Sequence, residues 1–308
     1  MKPFNHLFIL SFIAMGSLMK ASAQDTTTDS TGLPGDNFSL QGALQMFQKA
    51  GSPEEFEKLI NSQDNSVNNL DLNADGETDY VRVIDKMDKD VHALILQVPV
   101  SETESQDIAV IEMEKTGDTT AVLQIIGDED IYGEEVIVEP EGEGEEDAFI
   151  DNNYNRSLSG PNAEFYSIEP TRIVVNVWSW PSVRFLYAPV YRPWISPWRW
   201  RHYPVWWKPW RPLAWHTWHP RHRIYHRPFV VVRTHRVMRA HAFYRPARVS
   251  SVTVRTRNSS AVGNYRVSRS KTTITGPRGN SATRKTTTIQ GPRGKVKASK
   301  TTVRRRRR

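Results

Sequence analysis

Two neighbouring runs decide the fold: Val91-His92-Ala93-Leu94-Ile95-Leu96-Gln97-Val98 and Ile108-Ala109-Val110-Ile111-Glu112-Met113-Glu114. Both are short and rich in β-branched residues, which marks them as strands. Tyr80–Asp85 precedes them, Ala121–Ile126 and Glu135–Val138 follow, and turns of Asp, Gly and Lys lie between. Strands in unbroken succession predict an antiparallel meander. Upstream the apolar period becomes helical. Phe38, Leu40, Leu44 and Phe47 recur near helical spacing, and Gly51 closes the pattern. Ser52-Pro53-Glu54-Glu55 reads as a fresh helix start, with an N-cap serine, proline at the first helical position and a capping-box glutamate. Phe56, Leu59 and Ile60 supply its apolar stripe. Two helices followed by strands predict a small α+β domain over residues 37–138, behind a flexible acidic N-terminus at 24–36.

The 308 residues carry a formal net charge of +7, a mild figure that conceals a division. Residues 24–160 hold 32 Asp and Glu against 7 Lys and Arg, whereas residues 161–308 hold 32 Lys and Arg against 2 Asp and Glu. Such asymmetry argues against one evenly mixed globular domain. The change of sign falls beyond residues 139–163, a Glu/Gly-rich segment expected to be a solvated linker. A basic region rich in Trp, Arg, His and Pro occupies 164–246, and a basic repeat tail occupies 247–308.

Residues 1–23 have the parts of a secretory signal. Lys2 is the charged start, Leu7–Met19 the apolar run, and Ala21-Ser22-Ala23 the small-residue cleavage site. The apolar run is too short to span a bilayer core of about 30 Å. No later stretch is apolar for about 18 residues, so no transmembrane helix is expected after cleavage. The chain has no Cys, hence neither a disulfide framework nor a lipidated N-terminal cysteine. A periplasmic, outer-surface or secreted protein is the expectation.

Between helices and strands lies Asp71-Leu72-Asn73-Ala74-Asp75-Gly76-Glu77-Thr78-Asp79. Oxygen-bearing side chains fall at loop positions 1, 3, 5 and 9, with Gly at 6 for the sharp turn. Asp71, Asn73, Asp75 and Asp79 would ligate a structural Ca²⁺ by side chain, and Glu77 through its backbone carbonyl. The loop resembles those of EF-hands, dockerins and integrin-like propeller blades, but Arg82 stands where an EF-hand has its bidentate glutamate. A strand also follows where an EF-hand has a helix, which argues for a structural loop and against a sensor. The competing reading is an Asp/Asn/Gly turn closed by its own side chains.

The basic region is of another material. All 10 Trp lie between Trp178 and Trp218, interleaved with Arg and with prolines every few residues. Such spacing forbids a long helix or a central strand and predicts extended, largely irregular chain. Trp198, Trp200, Trp206, Trp207 and Trp210 are the candidates for stacking on a ligand. Arg199, Arg201, Lys208 and Arg211 are the candidates for anion contacts. Rings alternating with cations suit sugar rings, nucleobases or lipid headgroups. Equally open is a small second core built by the tryptophans, with strands at Arg172–Trp178, Val183–Tyr187 and Phe229–Arg233. His216, His219, His222 and His226 have the spacing of metal ligands, but no carboxylate accompanies them and Pro220 is expected to break the helix that would align them.

In the tail, Lys271-Thr272-Thr273-Ile274-Thr275-Gly276-Pro277-Arg278-Gly279 returns as Thr286-Thr287-Thr288-Ile289-Gln290-Gly291-Pro292-Arg293-Gly294. The copies have the look of a β-ribbon, yet one apolar residue per copy cannot bury a core, so disorder is the expectation when free. No nucleophile elbow, Gly-rich phosphate loop or Cys/His pair occurs in the acidic half. Its carboxylates are too many for any pair to signal catalysis, and a glycan hydrolase would need two of them facing one cleft.

Three passages, Asn69–Val83, Gln124–Glu139 and Ser196–Pro212, give the chain a resemblance to uncharacterised secreted proteins of Bacteroidota. The resemblance implies export and a shared architecture, and no activity or functional residues. The expectation is a non-enzymatic cell-envelope protein. It would bind anionic envelope polymer (lipopolysaccharide or acidic polysaccharide) or a lipid surface, with extracellular nucleic acid as a variant. The alternative is a self-assembling structural protein held by attraction between its acidic and basic halves.

Overall fold

Along β2 (Val91–Pro99) and β3 (Ser105–Gly117) side chains alternate between two buried faces, so both sides of the sheet must be covered. Leu94, Leu96, Ile111 and Met113 point to one side, and Ala93, Ile95 and Val110 to the other. The computed structural model describes residues 30–141, 174–268, 271–275, 281–290 and 296–306. The signal segment and most of the acidic linker lie outside the described residues.

The structure is α+β. β1 (Arg82–Asp88), β2, β3, β4 (Thr120–Gly127), β5 (Val136–Pro140) and β6 (Phe229–Val232) form a six-stranded antiparallel sheet in that order. The first face receives α1 (Leu40–Lys49) and α2 (Pro53–Ile60) through Leu40, Leu44, Phe47, Phe56 and Ile60, all fully buried. Each such side chain is worth about 1.5–3 kcal/mol on burial. Serines cap both helices. The Ser39 hydroxyl accepts from Gly42 N at 3.0 Å, and that of Ser52 from Glu55 N at 3.2 Å. The Glu55 carboxylate reaches back to Gly51 N at 2.8 Å, one residue before the N-cap that a standard capping box would serve. Between β4 and β5 a short turn of helix, α3 (Glu129–Tyr132), starts at an Asp128 cap and stops at Gly133, whose φ is +79°.

The opposite face is closed by the basic half. Tyr244, at the end of α6 (Met238–Tyr244), packs with Ile95, Val110, Ile126, Ile137, Val230 and Val232. β6 itself comes from the basic half and pairs with β5, placing Val231 opposite Val138. The basic region was expected to stand apart. Instead, four consecutive apolar residues, buried on both faces, extend the sheet and saturate the edge of β5.

Local expectations fail where proline chemistry was misjudged. Of Val183–Tyr187, expected as a strand, Val183–Leu186 belong to α4 (Pro181–Leu186) and Tyr187 caps it. Pro181 at the first turn presets the helical φ, and Val183 and Leu186, three apart, enter the core. Pro220, expected to break a helix, sits inside α5 (Trp215–His222). Residues 191–214 contain no helix or named strand. They nonetheless track the open edge of β1: Asp85 N donates to Trp194 O at 2.7 Å, and Ser196 N to Val83 O at 3.0 Å.

α7 (Val252–Ser268) leads to a three-stranded antiparallel sheet, β7 (Lys271–Thr275), β8 (Ser281–Gln290) and β9 (Val296–Arg306). Ile274 pairs with Ala282 and Ile289 with Ala298, so each copy's Thr/Ile run pairs with the segment that follows its own turn and the two copies do not pair with each other.

Candidate functional site

The ion loop folds on itself. Asp71 accepts from Asp75 N at 3.1 Å and Gly76 N at 3.0 Å, while Asn73 accepts from Asp75 N at 2.9 Å. The Asp75 carboxylate in turn takes Glu77 N at 2.9 Å and the Asn73 amide at 2.8 Å. Gly76 has φ +86° and Ala74 +59°, the left-handed turns needed to bring these groups round. Asp71 is half-buried, Asp75 and Glu77 are exposed and Asp79 is buried. Burial pushes the Asp79 carboxyl up to about 7, with Asp71 and Asp75 adding like-charge repulsion. Asp79 accepts from Leu72 N, which pins the loop's two ends together. The geometry is that of nested side-chain turns, with the five expected ligand residues in one loop. Beside it, a cleft of about 440 Å³ is lined by Asp36, Asp71, Trp215 and Arg257.

The aromatic candidates divide. Trp207 is only 5% exposed and lies edge-on against Tyr80 at 5.0 Å and Tyr203 at 4.7 Å. It is a packing residue and not a stacking surface, because its ring is already enclosed by other rings. Trp206 is 48% exposed, and Trp198, Trp200 and Trp210 are half-buried. Arg201 lies over the Trp200 ring at 5.5 Å, and Lys58 over Trp206 at 5.7 Å. The segment is tied down from beneath: Trp210 O accepts from Thr78 N at 2.7 Å, and Leu213 N donates to Asn69 at 2.7 Å. The Glu57 carboxylate accepts from Tyr80, from Val83 N and from Ser196 at 2.8, 2.8 and 2.9 Å. Burial raises its pKa despite these donors.

The cations of the basic half also divide. Arg199, Arg201, Lys208 and Arg211 are exposed and make no ion pair among the described residues. Further along, Arg236 pairs with Glu139 at 3.0 Å and Arg245 with Glu135, while Arg248 clamps Asp128 and Asp130. Glu114 accepts from Arg239 N at 2.7 Å and Ala240 N at 3.1 Å, at the start of α6. Gln124 and Asp107 receive Arg236 N and Val249 N, each at 2.8 Å. The acidic strands thus carry a prepared polar face for residues 234–251.

That face holds a cluster invisible in sequence. Glu112 is fully buried; burial, together with Glu135 and Glu114, pushes its carboxyl up to about 9. It meets His241 at 3.0 Å, and His235 stacks near His241 with ring centroids 4.2 Å apart. Among the described residues these are the one set of three His, Asp or Glu whose ligand atoms all lie within 4.8 Å of one another. The signal that could have found it is Glu112 itself, a carboxylate that interrupts the apolar run from Ile108 to Met113.

The histidine tract behaves differently. His219, His222 and His226 are buried and lie ring to ring, 5.3 and 5.6 Å between successive centroids, while His216 points to solvent. Trp218 adds a ring 5.1 Å from His222. Burial, and then the neighbouring His226 and His219, push His222 down to about 3, so His222 is a neutral ring packed among other rings. No described helix is long and apolar enough to cross a membrane. No protein-family model, curated protein or solved structure matches the chain.

Proposed function

We propose that this is an exported, non-enzymatic cell-envelope protein that binds anionic polymer, lipopolysaccharide or acidic polysaccharide, on a fixed cationic–aromatic ridge. One observation carries the reading: Arg199, Arg201, Lys208 and Arg211 are exposed and have no carboxylate partner among the described residues, although the chain holds many carboxylates and engages Arg236, Arg245 and Arg248 with them. The partly exposed faces of Trp198, Trp200, Trp206 and Trp210 lie among those cations. Backbone bonds to β1 and to the loop after Leu70 hold the ridge in place, so little ordering cost would fall on binding. The secretory-type first 23 residues and the resemblance to secreted Bacteroidota proteins support export.

A structural Ca²⁺ held by Asp71, Asn73, Asp75, Glu77 and Asp79 would stiffen the loop beneath the ridge, since Thr78 bonds directly to Trp210. The test is a salt titration of full-chain binding to lipopolysaccharide, neutral polysaccharide and duplex DNA. Exchanging Arg199, Arg201, Lys208 and Arg211 for Ser should weaken binding to the anionic polymers and flatten its salt dependence. Unchanged affinity overturns the assignment, and preference for DNA would rename the partner.

Self-assembly through opposite charges is the second reading. The ion pairs of Arg236, Arg245 and Arg248 with the acidic half are made within one chain, which favours an intramolecular clasp. Sedimentation showing salt-reversible oligomers of the protein alone would reverse that preference.

A further inference from the structure

Glu112, His235 and His241 come from three separate elements and converge where the acidic sheet meets the basic half. Glu112 is on β3, His235 follows β6, and His241 lies on α6, 129 residues from Glu112. Hydrogen-bond accounting at this spot does not close. Glu112 Oε2 and His235 Nδ1 are both buried without a hydrogen-bond partner. Leaving a buried acceptor unmade costs about 1–3 kcal/mol, more if it is charged. Two such atoms beside a third potential ligand point to a missing common partner.

The orientation of His235 identifies its type. Glu135 Oε2 lies 3.3 Å from His235 Nε2, and Glu135 is itself held by Arg245. A carboxylate on one imidazole nitrogen fixes the tautomer and leaves a lone pair on the other, the arrangement that orients a metal-ligating histidine. Across the site, His241 Nδ1 and a Glu112 oxygen are 3.0 Å apart. Ligands about 2.0–2.1 Å from a tetrahedral ion are separated by roughly 3.3 Å, so a few tenths of an ångström of opening admits the ion.

We propose that Glu112, His235 and His241 bind a divalent transition-metal ion, with Zn²⁺ the best match. Two imidazoles and one carboxylate favour Zn²⁺, Ni²⁺ or Cu²⁺ over the all-oxygen preference of Ca²⁺ and Mg²⁺. Three protein ligands leave a fourth position for water. Glu135 and Glu114 add negative potential at the site and Arg245 opposes it. The ion joins β3 to the chain that leaves β6, and so fastens the acidic half to the basic half independently of the ion loop at Asp71–Asp79.

The test uses the chelator-stripped full chain, titrated with Zn²⁺ by calorimetry and with Co²⁺ by visible absorption. One equivalent should bind tightly, Co²⁺ should give the intense bands of a four-coordinate ion, and Zn²⁺ should raise the thermal midpoint. Glu112→Gln keeps shape and polarity, so it should fold and yet lose the site; His241→Gln should lose it too. Glu135→Gln should weaken binding about 10–100-fold through His235. His216→Gln, at an exposed histidine, should change nothing. Tight Zn²⁺ that survives both Glu112→Gln and His241→Gln, or that disappears with His219→Gln, overturns the proposal. So does a wild-type protein that takes up no Zn²⁺.

Discussion

Acidification should withdraw stability from this protein through one buried histidine. His222 is fully buried, and its pKa is pushed down to about 3 by burial and by the neighbouring His226 and His219. In the unfolded chain the same imidazole titrates near 6.5. A depressed pKa contributes stability that is present above the unfolded value and is lost as pH falls toward the folded value. From pH 7.5 to 5.0 the unfolded state takes up nearly a full proton that the folded state refuses, a loss of about 2 kcal/mol. The buried carboxyls act in the opposite sense. Glu112, at about 9, Asp79, at about 7, and Asp128, at about 6, are raised, so the stability linked to them is complete only below their unfolded pKa and fades as pH rises. A difference measurement separates the two. Urea unfolding of wild type and His222→Phe at both pH values shares the carboxylate contribution and differs in the imidazole. With a urea m-value of about 3 kcal/mol/M, the wild-type midpoint should fall about 0.7 M further than that of the variant. Equal shifts in the two proteins would refute the reasoning and imply that water or a proton reaches His222 in the fold.

Other outcomes follow from burial and geometry. Leu94→Ala, at a fully buried position of β2, should cost about 2–5 kcal/mol by chemical denaturation. Arg248→Ala leaves Asp128 and Asp130 without their clamp and should cost about 3 kcal/mol, whereas Arg211→Ala should leave the melt within about 0.5 kcal/mol of wild type. Gly127→Ala would place its Cβ 2.6 Å from the Tyr132 ring and should lower stability by about 1–3 kcal/mol. Trp206→Ala should leave the fold intact and weaken polymer binding, whereas Trp207→Ala should destabilise by about 3–5 kcal/mol, a contrast read from thermal melts alongside binding isotherms.

Periodicity and turn chemistry are local properties, and the sequence by itself determined what depends on them. The helix cap at Ser52 and the strands from Arg82 to Val138 rest on side chains within a few residues of one another. The separation into an acidic and a basic half was equally plain, because charge is a property of composition. The destination of the basic half was decided only by tertiary structure. Phe229–Val232 is a strand on any reading, yet nothing near it in sequence says that its partner is Val136–Pro140. Proline spacing described residues 191–214 correctly as irregular but was silent on their docking along the edge of β1. The tryptophans could not be sorted by sequence, since the same residue type fills a core at Trp207 and Trp218 and meets solvent at Trp206. Glu112, His235 and His241 show the limit most clearly. Their meeting depends on two strand registers and one helix, and metal-ligand spacing in sequence signals a site only when a single local element carries the ligands. Burial, and not charge count, decided which carboxylates and cations pair. Once β6 and α6 cover the sheet, a charged group beneath them needs a partner, while those on the ridge keep water.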